Sequence, residues 1–201
     1  DTDLRAFRRD AADRTHHLKM ALLFKVLSSA TFVIVSSRAP LPVHIGQVFG
    51  LMGDIVLGAR YLIKGSKKMY VLAGTILFGL GHLCFSFFSI SCGAVLWTSL
   101  AFVISFDILL MPLLWKHLSH HSKGRIYQGL IYINIVIIMT SVTISMYIHT
   151  RQFPVYTMGA IAFLFADGLT VYNNFAPKRD HRMRVINLIS YYLAQMLIAL
   201  F

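Results

Sequence analysis

Three ionisable side chains stand where hydrocarbon should exclude them. Asp167 lies in the middle of the apolar stretch Ala160 to Phe175, AIAFLFADGLTVYNNF. Asp54 repeats the oddity within Gly50-Leu-Met-Gly-Asp54-Ile-Val-Leu, and Phe78-Gly-Leu-Gly-His82 places an imidazole in a third apolar run. An Asp at the centre of a membrane helix costs on the order of 2.5–3.5 kcal/mol on the gentlest scales, so such residues face a bundle interior and carry function by default. Two carboxyl groups and an imidazole are the parts of general acid–base catalysis. Set inside an apolar bundle, they are expected to meet and to work on a lipid.

The elements that must position them follow from composition. Of 201 residues 57% are hydrophobic and only 13% charged, with a mean hydropathy of +0.66. A soluble domain is nearer one-quarter charged, so the reading is an all-α, polytopic transmembrane helical bundle. The pI near 10 does not indicate nucleic acid, because the basic residues fall in short clusters between apolar runs and form no binding stripe. Every acid is Asp, and Cys84 and Cys92 offer neither a disulfide framework nor a metal-type spacing.

Residues 1–17 form a basic N-terminal arm, either an interfacial helix or an unstructured solvated tail, ahead of a single transmembrane domain over 18–201. Apolar runs are read over Leu18–Ser37, Val43–Ala59, Tyr70–Ser89, a fourth ending near Trp115, Ile126–Ile148, Val155–Tyr172 and Val185–Phe201. Most are long enough for a helix to cross about 30 Å of hydrocarbon, which predicts seven spans. Lys and Arg cluster before the first run and in the second, fourth and sixth connections, whereas the others hold only Arg38 and Arg151. Alternation of this kind predicts a cytoplasmic N-terminus. Counting along the helices, Asp54 and Asp167 each lie about 9 Å from the cytoplasmic edge and His82 about 8 Å deeper.

The series Lys25, Gly53-Asp54-Ile-Val-Leu, Gly74-x3-Phe78-x3-His82, Gly159-Ala160-x2-Phe163-x3-Asp167 and Tyr191-Tyr192-Leu-Ala-Gln195 resembles the YhhN-type lysoplasmalogenase family of multipass membrane proteins. Tyr132 and Met139 also stand where the family tends to have Tyr and Met, while Ala166 and Phe85 replace its usual Ser and Tyr. The resemblance implies eight spans, the first upstream of Asp1 or missing, and a bacterial inner membrane. It implies hydrolysis of the vinyl-ether bond of lysoplasmalogens to a fatty aldehyde and glycerophospho-ethanolamine or -choline.

That reaction protonates the β-carbon of the vinyl ether, and water captures the resulting oxocarbenium ion. It needs an acid still protonated near neutral pH, the kind that low dielectric and paired carboxylates create. Asp54 and Asp167 are assigned as general acid and cation-stabilising carboxylate, in an order the sequence leaves open, with His82 positioning water or setting their protonation. Asn173, Tyr191, Tyr192 and Gln195 are expected to line the substrate cavity, and Lys25 to contact the head-group phosphate. The scheme calls for no cofactor and no metal; its partners are the lysophospholipid substrate and membrane lipids. The simpler roles are an ion pair between Lys25 and an Asp, a cap or ion pair for Asp107, and hydrated loop positions for His117, His120 and His121. A proton-coupled transporter and a metal-dependent lipid hydrolase using Asp54, His82 and Asp167 are the alternative functions.

Overall fold

A computed structural model describes residues 2–60, 62–63, 65–118, 123–175 and 181–201. Lys64, the loop residues His120 and His121, and Lys178 and Arg179 lie outside the described residues, as do the side chains of the 1–17 arm and of His117. Among the described residues there are seven α-helices and no strand: α1 Thr2–Val35, α2 Leu41–Ala59, α3 Lys67–Ser91, α4 Leu96–Leu118, α5 Lys123–Thr150, α6 Pro154–Phe175 and α7 His181–Ala199. The backbone of the arm is helical and runs unbroken into the first apolar run.

The helix ends follow local chemistry. Pro40 precedes α2 and Pro42 sits in its first turn, while Pro154 opens α6; a first-turn proline gives up no helical hydrogen bond. Beyond the end of α3, Gly93 adopts φ +104°, Gly93 N–H bonds Ile90 O at 3.2 Å and Ala94 N–H bonds Ser89 O at 3.1 Å. This Schellman arrangement needs a left-handed residue, which glycine supplies without a Cβ clash.

Among the described residues six stretches are long and apolar enough to cross a membrane, in α1 (from Leu18) through α6, so the chain is a multipass membrane protein. The seventh run does form a helix, but α7 carries Arg182, Arg184 and Asn187 in its first two turns and falls short of that apolarity. The expected count of seven spans is therefore six by this measure.

Helix α2 packs along α3 and α6 along α7; α5 joins the two pairs through α3 and α6. The centre is α5, with 61% of its apolar window buried, against 6% for α1 and for α4, which lie at the periphery. Ile133, Val136, Ile137, Met139 and Met146 of α5 are inaccessible, and Tyr156, Ala160 and Phe163 of α6 meet them. Their spacing of three and four residues is that of a helix face buried against neighbours.

Asp107 departs from its expected role. It is residue twelve of the 23 in α4, too far from either end to cap, and it has no ion pair among the described residues. Its Oδ1 is buried without a hydrogen-bond partner.

Candidate active site

The acids of α2 and α6 are both removed from solvent, Asp54 with 0% and Asp167 with 6% exposure, and His82 of α3 with 1%. They form two adjoining centres rather than one.

The first is built on Asp54. Lys25 Nζ of α1 lies 2.8 Å from Oδ1, and no other donor among the described residues reaches that oxygen. Oδ2 accepts from the Ser29 hydroxyl, one turn after Lys25, and from Tyr191 OH of α7 at 2.8 Å. Gln195 Nε2 donates to Tyr191 OH at 3.0 Å, and Gln47 Nε2 donates to the Gln195 carbonyl at 3.3 Å. The Gly50-x2-Gly53-Asp54 pattern makes this approach possible. A Cβ at Gly50 would come within 3.0 Å of Gln195 Nε2, and one at Gly53 within 2.8 Å of the Phe78 ring. Glycine at both positions lets α2 close on α7 and α3.

The second centre joins α3, α5 and α6. His82 Nε2 lies 3.2 Å from Asp167 Oδ2, to which Tyr132 OH donates at 2.9 Å. The Tyr132 oxygen is also 3.4 Å from His82 Nε2, and Met139 Sδ is 3.2 Å from Nδ1. Both ring nitrogens are therefore engaged, one by a carboxylate and a phenol and the other by a thioether. Tyr132 and Met139 are seven residues apart, two helical turns, so one face of α5 holds both edges of the ring.

An aromatic wall links the centres. Phe163 packs edge-on against His82 at 5.1 Å and against Tyr191 at 5.8 Å between centroids, and Phe78 meets Tyr191 at 6.1 Å. One phenol serves each carboxylate, Tyr132 OH donating to Asp167 and Tyr191 OH to Asp54.

The expected residues distribute as follows. Asp54, Tyr191, Gln195 and Lys25 meet in the first centre, where Lys25 engages Asp54, the simpler of its two expected roles. Asp167 and His82 meet in the second. Tyr192 is half-buried beside the first, stacked at 5.5 Å on Tyr191 and 6.0 Å on Phe32, without touching a carboxylate directly. Asn173 sits six residues, about 9 Å of rise, beyond Asp167 toward the end of α6.

Counting from the loops sets His82 deeper than Asp167, and its ring nonetheless reaches Asp167 Oδ2 at 3.2 Å. Counting residues from each loop treats the loops as lying in one plane, whereas α3 has 25 residues, α6 has 22, and α3 begins three residues before the apolar run. Sequence reasoning gave no role to Ser29, Gln47, Tyr132 or Met139. The i, i+4 step from Lys25 to Ser29 and the i, i+7 step from Tyr132 to Met139 were the available signals. Asn187 of α7 also escaped notice; it donates to the Ala166 carbonyl and, at 2.6 Å, to Thr170 Oγ1, fastening α7 to α6 beside Asp167.

Chemically, the second centre can store a proton between imidazole and carboxylate and pass it on. The first presents an anion balanced by an ammonium group. Among the described residues no three His, Cys, Asp or Glu gather as metal ligands would. No curated protein and no solved structure matches the chain. The YhhN family matches over residues 11–201, a span that contains every residue of both centres, and the chain therefore belongs to the YhhN family.

Proposed function

We propose that the protein is an intramembrane hydrolase that cleaves the vinyl-ether bond of lysoplasmalogen, releasing a fatty aldehyde and glycerophospho-ethanolamine or -choline. The observation that carries this reading is the hydrogen-bonded unit of Asp167, His82 and Tyr132, buried beside the Asp54 centre in a YhhN-family membrane chain. The basic clusters support a cytoplasmic N-terminus, and in this reading the lipid approaches from that side of a bacterial inner membrane.

The two centres suit the two demands of the reaction. Protonation of the vinyl ether at its β-carbon needs a donor, and the His82–Asp167 pair with Tyr132 supplies one. The resulting oxocarbenium ion needs a nearby anion, and Asp54, neighbouring through Tyr191, supplies it. Water adds to the cation and returns a proton to the His82–Asp167 pair. The hemiacetal then collapses to aldehyde and alcohol, so the protons balance over one turnover. In this reading Lys25, Tyr192 and Asn173 receive the glycerophosphate end, and Gln195, which donates to Tyr191 OH, orients that phenol. The chain's own groups suffice for each step, without a cofactor.

The test is aldehyde release by detergent-purified protein from vinyl-ether lysolipid, with ester lysolipid as control. Release from the ether alone is expected, and Asp54→Asn and Asp167→Asn should abolish it while the protein stays folded. Release from the ester at an equal rate, or full activity in both variants, sinks the reading.

A further inference from the structure

Helix α1 carries two of the three donors on Asp54, Lys25 and Ser29, and otherwise offers the bundle very little. Leu18, Leu23, Phe24, Leu27 and Ile34 all face outward, with Phe24 63% and Ile34 71% exposed. It lies mainly along α2 and touches α7 more lightly, through Phe32 against Tyr192 and Lys25 over the Tyr191 ring. The other peripheral helix, α4, contributes no residue to either centre. Both carboxylates and His82 are meanwhile sealed from outside, so a lipid reaches them only if an element moves. The element that both lies loosest and touches the site is α1.

We propose that α1 is a substrate-operated lateral gate, latched by Lys25 on Asp54, that lifts off α2 and so parts the α1–α7 seam when a lysolipid phosphate draws Lys25 away. The side chain of Lys25 is 30% exposed while Asp54 is fully enclosed, so an anion arriving from the membrane surface meets the ammonium first. A phosphate competes for that ammonium, and a long lysine stem can follow it outward. Release of Lys25 frees Asp54 Oδ1, which has no other donor, at the moment the reacting bond enters. The latch would thus keep the acid centres dry and closed to neutral lipids until a phosphorylated one arrives. This inference rests on the hydrolase reading for its substrate class, but its test does not depend on turnover alone.

The test staples the gate. A Cβ at Gly58 would lie 3.3 Å from Leu22 Cγ, close enough that Leu22→Cys with Gly58→Cys suits a disulfide between α1 and α2. In a Cys84→Ser, Cys92→Ser background, oxidation of this double variant should remove most turnover and reduction should restore it, while each single cysteine variant is indifferent to oxidation. Independently, spin labels at Leu23→Cys on α1 and Leu193→Cys on α7 report the seam, since both side chains point outward. A non-hydrolysable alkyl lysophospholipid should lengthen that distance, and a phosphate-free monoalkylglycerol should leave it unchanged. Full turnover in the oxidised form overturns the gate. So does a distance indifferent to the lysophospholipid, whether or not the protein hydrolyses anything. A seam opened equally by the monoalkylglycerol overturns the phosphate trigger.

Discussion

Removing Lys25 should cost more stability than removing the charge it neutralises. In Lys25→Met, Oδ1 of a fully buried Asp54 loses its sole donor, while Oδ2 keeps Ser29 and Tyr191. Breaking a buried ion pair from one side costs about 3–5 kcal/mol, and the two surviving donors argue for the lower end, about 3 kcal/mol. Asp54→Asn differs because Lys25 is 30% exposed: its stem can carry the ammonium toward the head groups, and about 1–2 kcal/mol is expected from the altered hydrogen bonds. The double variant should cost close to Asp54→Asn alone, leaving a coupling of about 3 kcal/mol. SDS-driven unfolding in mixed micelles, followed by circular dichroism, measures all four proteins. Equal or reversed single-variant costs, or additivity in the double variant, would show that Lys25 does not neutralise Asp54.

Further outcomes follow from other contacts. Tyr132→Phe keeps the ring but removes the hydroxyl from Asp167 and His82; losing a buried hydrogen bond to a carboxylate is worth about 1.5–3 kcal/mol, so the unfolding midpoint should fall and turnover should drop about 10–100-fold. Gly46→Ala would drive a Cβ to 2.3 Å from the buried Phe85 ring, itself packed on His82 and Phe163, and should lower stability by about 1–3 kcal/mol. Gly168→Ala meets nothing within 4 Å in mid-helix and should instead raise stability by about 0.5–1 kcal/mol, read in the same unfolding assay. Asn187→Leu should lower the unfolding midpoint by unfastening α7 from α6, a loss of about 1 kcal/mol per hydrogen bond, and an unchanged midpoint would count against that anchor.

Much of the architecture was legible because hydrocarbon burial dominates the choice of residue along each helix. The second run, read as Val43–Ala59, is α2 at Leu41–Ala59, and the sixth, Val155–Tyr172, is α6 at Pro154–Phe175. The inward placement of Asp54, His82 and Asp167 was equally readable, since lipid tolerates none of them. Partner choice was not. Lys25 faced two plausible anions in one dimension, a phosphate and a carboxylate, and only the packing of α1 on α2 brings it to Asp54. Tyr132 and Met139 are marked in the sequence only by the family resemblance, because a phenol or thioether declares a polar role only when an imidazole stands opposite. The apolarity of α7 was overestimated by starting the run at Val185, past the two arginines that the helix includes.

His82 rides on the α2–α3 hairpin and Asp167 on the α6–α7 hairpin, so their 3.2 Å contact bridges two helix pairs that otherwise meet mainly through α5. Sliding of one pair past the other along the bilayer normal would change its length, and hydrophobic mismatch with the lipid acts in that direction. In the proposed reaction, proton delivery would then respond to the thickness of the host membrane, making the surrounding lipid a determinant of rate.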